Sequence, residues 1–298
     1  MFSFKSTTSI LCKNSLFLFA PKPSLFSQTI RAMSKSSSTS ATSESIPVAS
    51  SATTNSTTNG TIARPEDPET TTQQPIIFAP ETYQYTKGHL DESQVLNNPL
   101  DQFHLWFKEA QEQLPKESDI IVEATTFSTA RLPSGRVSSR IVLLKELDKY
   151  GFLIYSNWGT SKKSQDFETN KYASLTFFWP HIQRQVRVEG IMEHVTRETS
   201  ERYYKTRPRG SKIGAWASPQ SSKMNSRDDL NVLNKEYEDK FKDLKDDEIP
   251  CPEYWGGIRI EPLEVEFWQG GLSRLHDRIT FRREVKSDPN WEIIRLAP

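Results

Sequence analysis

Hydrophobic and polar positions repeat with two different periods between residues 97 and 298, and each period predicts a different kind of element. Apolar side chains recur at helical spacing from Phe103 to Ala110, directly after Asn98-Pro99, which predicts a capped amphipathic helix. Helical spacing returns after Thr196 and over 226–242, where the many charges predict an exposed helix. Runs rich in β-branched and aromatic residues predict eight strands, over 120–127, 137–144, 151–156, 173–179, 185–194, 255–267, 278–283 and 291–296.

The order of these elements predicts the fold class. Turn sequences separate strands at 132–135, 157–159 and 179–180, and helices do not alternate regularly with strands. This order predicts a mainly β fold with helices (α+β), built as an antiparallel barrel or sandwich with helical decoration. The motifs GxGxxG after a strand, Walker A, GxSxG and HExxH do not occur, so the common nucleotide-binding and hydrolase classes lack support.

The first 75 residues differ from the rest in composition. Residues 1–43 contain five basic residues and no acidic ones, which is typical of a mitochondrial transit segment. The alternative is a disordered tail that has no targeting function. Ser and Thr fill 20 of the 40 positions from 34 to 73, so this stretch has little apolar surface to offset the entropy of ordering. We predict a disordered extension over 1–75 and a folded domain over 76–298. A second start at Met33 would omit the transit segment, so the predicted location is mitochondrial, cytoplasmic or both.

Composition argues against several classes of function. The 38 basic and 38 acidic side chains give zero formal net charge, which argues against bulk attraction to nucleic acid or an anionic membrane. Cys12 and Cys251 are the only cysteines, so a disulfide framework is excluded, and no Cys/His spacing is typical of a zinc site. No apolar run approaches the ~20 residues of a membrane-spanning helix. Function must therefore come from local clusters.

Several basic segments have the composition of anion-binding sites. Arg140 and Lys145 flank an apolar strand, and their odd separation predicts that they lie on opposite faces and serve two different anions. Ser161-Lys162-Lys163-Ser164 follows a turn and predicts the N-terminus of a helix, which favours phosphate. Residues 207–212 combine a predicted chain break, a glycine for a tight backbone, a hydroxyl and two guanidinium groups, and Gln220-Ser221-Ser222 offers neutral donors nearby in sequence. A solvated basic surface is the alternative for each segment alone, and their number favours binding.

The segment 266–278 has the highest density of such side chains. Trp268 can cover a flat ring, and Gly270-Gly271 allows a close approach of the backbone. Arg274, His276 and Arg278 would share one face of an extended chain, and the two arginines should favour the neutral form of the histidine. These features predict a planar, anionic ligand. Because no paired carboxylates, nucleophile–base pair or metal site stands out, an enzyme built this way would depend on an organic cofactor.

Five segments together resemble the pyridoxamine 5′-phosphate oxidase (pyridoxine 5′-phosphate oxidase) family, in its fungal form. They are RVSSRIVLLK (136–145), YSNWGTSKK (155–163), RQVRVEG (184–190), RPRGSKIGAWAS (207–218) and the C-terminal run 267–298 with its RLHDR and final RLAP. The resemblance covers about residues 76–298. It implies an FMN-binding split β-barrel that works as a homodimer with both active sites at the interface. It also implies that O₂ oxidises pyridoxamine or pyridoxine 5′-phosphate to pyridoxal 5′-phosphate and H₂O₂, with hydride passing from C4′ to flavin N5.

The resemblance also implies a role for individual residues. Arg274 and His276 would lie over the pyridine ring and orient the reacting carbon, with Leu275 between them. The substrate would be held by Lys145, Tyr203, Arg207, Ser211, Arg274, Leu275 and His276. FMN would be held by Arg140, Ile141, Val142, Leu143, Leu144, Lys145, Tyr155, Ser156, Lys162, Lys163, Gln185, Gln220, Ser221, Trp268 and Arg278. No metal is implied.

The sequence departs from the family pattern in three places, and two other functions are possible for the same fold. The loop at 159–161 is one residue longer than in bacterial relatives, Lys162 stands where Arg is common, and the Arg-rich lid of those relatives has no clear counterpart at 86–89. A non-catalytic flavin or pyridoxal-phosphate binding protein is one alternative, which the presence of Arg274 and His276 disfavours. A split-barrel flavin reductase is another alternative. It is disfavoured by the residues that the resemblance implies for the substrate phosphate, which are Lys145, Tyr203, Arg207 and Ser211.

Overall fold

The computed structural model describes residues 82–298, so the predicted extension over 1–75, its transit segment and Met33 lie outside the described residues. Within 82–298 the chain forms five α-helices and nine strands. The helices are α1 (Pro99–Glu112), α2 (Lys162–Thr169), α3 (Arg197–Lys205), α4 (Arg209–Ala217) and α5 (Arg227–Lys240). The strands are β1 (Ala124–Arg131), β2 (Arg136–Leu143), β3 (Glu146–Asp148), β4 (Gly151–Asn157), β5 (Tyr172–Trp179), β6 (Arg184–His194), β7 (Trp255–Gln269), β8 (Asp277–Arg282) and β9 (Glu292–Leu296).

All nine strands belong to one antiparallel sheet, which confirms the predicted mainly β fold with helices. The strand order is β2-β1-β5-β6-β7-β4-β3, and β8 pairs with β7 and β9. The two end strands, β2 and β3, are joined in the chain by Leu144 and Lys145 alone. Because the three Cα–Cα steps from Leu143 to Glu146 span at most about 11 Å, the sheet must curl until its ends approach each other. No ladder joins β2 to β3 among residues 82–298, so the curled sheet does not close.

Helix α1 packs its apolar side against the concave sheet and forms the core. The Asn98 side chain accepts a hydrogen bond from the Leu100 N–H, and Pro99 occupies the first turn, as the sequence predicts. The Phe103 ring lies 4.8 Å from that of Phe177, and the Trp106 ring lies 5.1 Å from that of Phe267. Full burial of each such side chain stabilises the fold by about 1.5–3 kcal/mol.

Strand β7 is the longest strand of the sheet and pairs with three others, so the sheet branches there. It pairs with β4 through its first half and with β8 through its second half, while β6 follows most of its length. A bulge between Glu189 and Gly190 bends this pair, and a Cβ at residue 190 would lie 2.3 Å from the Glu261 carbonyl oxygen. Only glycine fits that position, so the bend in this strand pair depends on Gly190.

The strand boundaries differ from the prediction by one to four residues at several ends, most at β1, and one strand is missing from the predicted set. Strand β1 begins at Ala124 rather than at residue 120, because the Ala124 N–H closes a turn onto the Ile121 carbonyl. The three-residue strand β3 is absent from the predicted set and brings the total to nine. Helix α5 has no buried residue, which confirms the predicted exposed helix. None of the helices within 82–298 combines the length and apolar character needed to cross a membrane.

Candidate active site

Strand β4, helix α2 and the segment after α4 bring together the polar residues that the sequence predicts around a phosphate. The Gln220 side-chain oxygen accepts hydrogen bonds from Ser156 Oγ at 3.1 Å and from Lys163 Nζ at 2.5 Å. The Lys162 backbone N–H donates to Ser221 Oγ at 3.1 Å, and Ser161 caps helix α2, which confirms the predicted helix N-terminus at this segment. Ser221 has a φ of +67°, a conformation that non-glycine residues rarely adopt away from functional sites. We call this set, with Arg140, the β4–α2 cluster.

Two cations of the β4–α2 cluster lie close together with few anions to balance them. Arg140 donates to the Phe127 carbonyl at 3.1 Å and to Thr129 Oγ1 at 2.8 Å. Burial, and secondly the charge of Arg140, lower the pKa of Lys163 to about 8. The buried Asp166 accepts from Thr129 and pairs with Lys162 rather than with Lys163. An additional anion would therefore stabilise this cluster.

Two of the residues implied for the substrate, Arg207 and Ser211, lie at the corner between α3 and α4. Arg207 stacks over the Trp255 ring at 4.8 Å, and its Nη1 is buried without a hydrogen-bond partner in the described chain. A cavity of about 320 Å³ runs from Arg207 and Ser211 to Ser156 and Gln220 of the β4–α2 cluster. One cavity thus joins the two predicted anion sites. The predicted chain break is confirmed by the connection 206–208 between α3 and α4, whereas Gly210 lies in helix α4 and does not form a tight backbone turn.

An aromatic stack contributes Tyr155 and Trp255 to the wall of this cavity. The rings of Tyr155 and Tyr203 are stacked 4.0 Å apart, and the Trp255 ring lies parallel to them. Tyr155 Oη donates to Glu146 at 2.8 Å, and Arg202 holds the other carboxylate oxygen. Burial, with the hydrogen bond to Glu146, raises the pKa of Tyr155 and keeps this hydroxyl protonated. The wall is therefore flat, neutral and fixed.

Lys145 does not line this cavity. Its Nζ pairs with Glu123 at 3.7 Å, and it lines a separate cavity of about 330 Å³ beside α1. Strand β2 ends at Leu143, so Lys145 and the buried Leu144 follow the strand rather than continue it. The predicted placement of Arg140 and Lys145 on two faces of one strand is therefore wrong, although the two cations do face different surroundings. Ile141 is 66% exposed on β2.

The C-terminal residues form a second group around Trp268. Gln185, Trp268 and Arg278 are direct neighbours across β6, β7 and β8, and the His276 ring lies 4.7 Å from that of Trp268. His276 Nδ1 accepts a hydrogen bond from the Gly271 N–H, which leaves Nε2 as the protonated nitrogen of the neutral ring. Burial, and then the charge of Arg274, lower the pKa of His276, against a weaker opposite effect of Asp277. The predicted bias toward neutrality is confirmed, and burial is its largest cause. We call these residues the Trp268 cluster.

Arg274 does not continue the strand that holds Arg278. Residues Leu272–Arg274 form a short 3₁₀ turn in which Ser273 and Arg274 have φ values of +55° and +64°. The predicted alternation of Arg274, His276 and Arg278 on one extended face is therefore wrong. Arg274 and Leu275 project from an exposed turn, and Leu275 is 71% exposed.

The sequence matches models of one protein family. A model described as pyridoxamine 5′-phosphate oxidase matches residues 108–239, and one described as the pyridoxine 5′-phosphate oxidase C-terminal dimerisation region matches 255–298. The Saccharomyces cerevisiae pyridoxamine 5′-phosphate oxidase is 62% identical over 227 residues, 76% of this chain and 97% of the relative. A probable pyridoxamine 5′-phosphate oxidase of Schizosaccharomyces pombe is 54% identical over 228 residues, again 76% and 97%. The chain belongs to the pyridoxamine 5′-phosphate oxidase family.

Solved structures support the same fold. PhzG from Burkholderia lata superposes with a TM-score of 0.61 at 23% identity, over 69% of this chain and 95% of PhzG. A pyridoxamine 5′-phosphate oxidase-related, FMN-binding protein from Nostoc punctiforme gives 0.51 at 12% identity, over 66% and 97%. At these identities the likeness concerns the fold alone.

The family models cover both groups of candidate residues in this pyridoxamine 5′-phosphate oxidase family member. The first model contains the β4–α2 cluster, Arg207 and Ser211, whereas the dimerisation region contains Trp268, Arg274, His276 and Arg278. The two groups lie at opposite ends of β7. Gly257 pairs with Tyr155 and Trp268 pairs with Gln185, which are 11 residues apart on the strand, about 36 Å at the usual rise. No hydrogen bond or ion pair within 82–298 joins the groups.

Sequence reasoning missed three residues that fix these candidates. Glu266, which is 3% exposed, accepts from Arg278 Nη2 at 2.8 Å and pairs with Arg187, so it holds two guanidinium groups. Tyr85 packs edge-on against Trp268 and His276, at ring distances of 5.1 and 5.4 Å. Glu146 holds Tyr155. Tyr85 acts from a distant part of the chain, whereas Glu266 and Glu146 reach Arg278 and Tyr155, 12 and 9 residues away, through strand pairing that the local sequence does not show.

The segment 83–90 forms a strap over the Trp268 cluster. Thr86 and Lys87 donate their backbone N–H groups to Gln183 Oε1, at 2.7 and 2.9 Å. The Leu90 N–H donates to the Asp277 carboxylate at 2.9 Å. This oxidase-family chain therefore does carry a covering segment where the sequence shows no Arg-rich lid. No group of three His, Cys, Asp or Glu side chains in the described part of the chain could hold a metal ion.

Proposed function

We propose that this chain is an FMN-dependent oxidase of pyridoxamine and pyridoxine 5′-phosphates. Pyridoxine 5′-phosphate and O₂ give pyridoxal 5′-phosphate and H₂O₂, and the amine consumes water in addition and releases ammonia. The observation that carries the proposal is the single cavity that joins the β4–α2 cluster to Arg207 and Ser211, within a chain 62% identical to a yeast enzyme of that name. Such a cavity suits a flavin phosphate at one end and a substrate phosphate at the other.

The donors of the β4–α2 cluster fit the phosphate of FMN. Arg140 supplies a planar guanidinium, Lys162 and Lys163 supply ammonium groups, and the N-terminus of α2 adds backbone N–H groups. The charge of Lys163 is destabilised by burial and by Arg140, and a bound anion would reverse that cost. When bound, FMN would accept hydride from the substrate and pass electrons to O₂.

The chain's own residues would bind and orient the substrate. Arg207 has a buried Nη1 with no partner in the described chain, which a substrate phosphate would satisfy. Ser211 lies in the first turn of α4 and adds a hydroxyl next to that helix N-terminus. The neutral His276 ring would donate a hydrogen bond from Nε2 to the substrate, and Arg274 would cover the pyridine ring. Their contribution is positioning of the reacting carbon.

The distance between the two groups supports an active site shared by two protomers. The cavity residues and the Trp268 cluster are anchored 11 residues apart on β7, a path of up to about 36 Å along the bent strand, and no hydrogen bond or ion pair within 82–298 joins them, which favours a site completed by a second protomer. We propose a homodimer in which the cavity of one protomer meets the Trp268 cluster of its partner. The exposed apolar residues of β2, Val137 and Ile141, supply surface for such an interface.

Anaerobic spectroscopy of the purified protein tests the activity directly. We expect flavin absorbance that bleaches when pyridoxine 5′-phosphate is added without O₂ and returns when air is admitted. Protein isolated without cofactor would first be loaded with FMN. Flavin that ignores the phosphorylated substrate but bleaches with a nicotinamide donor would instead establish a reductase, and flavin that responds to neither would establish a non-catalytic binding protein.

A further inference from the structure

The first turn of α4 carries a second pair of cations that turn away from the cavity. Arg209 donates to the carbonyls of Phe241 and Leu244, at 2.6 and 2.9 Å, and pairs with the Asp246 carboxylate at 3.0 Å. Lys212 Nζ donates to the carbonyls of Lys205 and Asp246, at 2.9 and 2.6 Å. Both cations therefore tie α4 to the segment that follows α5.

Lys212 is an unusual residue for the interior of a protein. Its side chain is 2% exposed, and its two hydrogen-bond partners are backbone carbonyls rather than a carboxylate. A buried charge is costly unless its donors are satisfied, so such a residue is expected to have a positional task. Lys205 is the last residue of α3, so the ammonium also lies at the negative end of that helix.

The corner between α3 and α4 is fastened in both directions. Lys212 donates to the end of α3, while Tyr204 Oη, from the last turn of α3, donates back to the Lys212 carbonyl at 2.9 Å. Only Thr206, Arg207 and Pro208 lie between the two helices. The angle between α3 and α4 is therefore fixed by two hydrogen bonds of Lys212, one donated by its ammonium group and one accepted by its carbonyl.

Arg207 depends on that corner for its position. Its guanidinium stacks on Trp255 but makes no hydrogen bond within residues 82–298, so no polar contact of its own fixes its direction. Ser211 immediately precedes Lys212 on α4. A change in the corner would move both residues relative to the cavity.

We propose that Lys212 is a positioning residue for the substrate phosphate, which it orders through the α3–α4 corner, and that Arg209 supports it from the other side. The proposal rests on the proposed function only in assigning the phosphate to Arg207 and Ser211. Lys212 itself touches neither ligand. Its removal should therefore weaken phosphate recognition and leave the flavin end of the cavity intact.

The variant Lys212→Met tests this, because methionine keeps the length of the side chain and removes its donors. We expect the KM for pyridoxine 5′-phosphate to rise about tenfold, with kcat within about twofold and flavin content unchanged. Lys242→Met is the matched control, since Lys242 is exposed on the segment that Lys212 holds. A fall in kcat or in flavin content without a change in KM would overturn the proposal.

Two further readouts separate positioning from a general loss of structure. The kcat/KM for unphosphorylated pyridoxine should not change in Lys212→Met, because this substrate lacks the group that the corner orders. In an Arg207→Ala background, Lys212→Met should add little further loss, since both act on one phosphate. Equal losses for both substrates, or fully additive losses in the double variant, would contradict the assignment.

A binding measurement without turnover distinguishes failure of this proposal from failure of the proposed function. Inorganic phosphate should raise the melting temperature of the flavin-loaded wild type and of Lys242→Met, and should do so less in Lys212→Met and Arg207→Ala. If Lys212→Met does not fold, Arg209→Gln replaces it with the same expected direction. A wild type that lacks oxidase activity but shows this pattern would refute the oxidase and keep the positioning role, whereas equal shifts in all variants would refute the positioning role.

Discussion

His276 and Arg274 are the residues on which the proposed chemistry depends most directly. Both lie outside the β4–α2 cluster, so His276→Ala and Arg274→Ala should retain flavin while turnover falls about 100-fold through loss of substrate orientation. The measurement is kcat with pyridoxine 5′-phosphate, beside flavin absorbance per protomer. Normal turnover in both variants would remove the ring-orienting role from this pair.

Lys163 connects flavin binding to pH. Its pKa in the folded protein is about 8, below the ordinary value of 10.5, so it is charged below pH 8 and neutral above. We expect FMN affinity to fall as pH rises above 8, by up to about tenfold per pH unit, because the neutral amine no longer attracts the phosphate. Titration of cofactor-free protein with FMN from pH 7 to 9.5 measures this.

The matched variant for that titration is Lys163→Arg, which stays charged over the whole range and should remove the pH dependence. The same pH profile in both proteins would assign it to another group. The stability of the cofactor-free protein should change with pH in the opposite direction to FMN affinity. Between pH 8 and 10.5 the unfolded chain binds more protons at Lys163 than the folded chain, so the free energy of unfolding should rise with pH through that window.

Single residues were predicted well where their chemistry is local. Helices α1 and α2 begin where Asn98-Pro99 and Ser161-Lys162 predict helix N-termini, and Gln220-Ser221 contacts Lys162 and Lys163, as the resemblance rather than the local pattern implies. The extended interpretation of Arg274 failed because two consecutive residues take a left-handed conformation that side-chain type does not reveal. Roles in binding FMN or substrate stay predictions until the variants are measured.

The elements follow the same division between local and long-range causes. Helix α1 and most strands were visible from periodicity, whereas β3, with the sequence Glu-Leu-Asp, is a strand because β4 pairs with it. The strap over residues 83–90 was not predicted, because its contacts with Gln183, Trp268 and Asp277 join positions about 100 to 190 apart in the chain. Tertiary pairing of this kind overrides propensity.

The strap depends on a close contact between Tyr85 and Gly270. A Cβ at residue 270 would lie 2.6 Å from the Tyr85 ring, so Gly270→Ala should displace the strap and destabilise the protein by about 1–3 kcal/mol. Denaturant unfolding measures the change. In Tyr85→Ala the obstruction is gone, and adding Gly270→Ala there should cost much less. Additive costs would show that the two residues do not interact.

At the scale of the whole molecule, the separation of the two residue groups predicts complementation between inactive subunits. Arg207→Ala and Arg274→Ala lie in different groups, so a mixed dimer of the two variants would rebuild one intact site from its two wild-type halves. Co-expression with two affinity tags isolates that dimer. We expect about half the wild-type turnover per dimer, from one restored site of two, against little in either homodimer.

Mixed dimers as inactive as the parents would place each active site within one protomer and contradict the shared site.

The mainly β fold of residues 82–298 was predicted from the sequence, and both the antiparallel sheet and the match to the family model support it. The extension over 1–75 was predicted from composition alone, and import of residues 1–43 fused to a fluorescent protein would test its mitochondrial location.

Strand β2 has a consequence for the newly synthesised chain. Within the described residues it pairs with β1 alone, so its outer edge offers unsatisfied backbone groups beside exposed Val137 and Ile141. Such an edge can pair with any extended segment that it meets. The β2 edge of a newly made subunit can therefore pair either with its partner subunit or with an unrelated segment. The yield of correctly assembled protein should depend on chaperone capacity and on how fast subunits encounter each other in the cell.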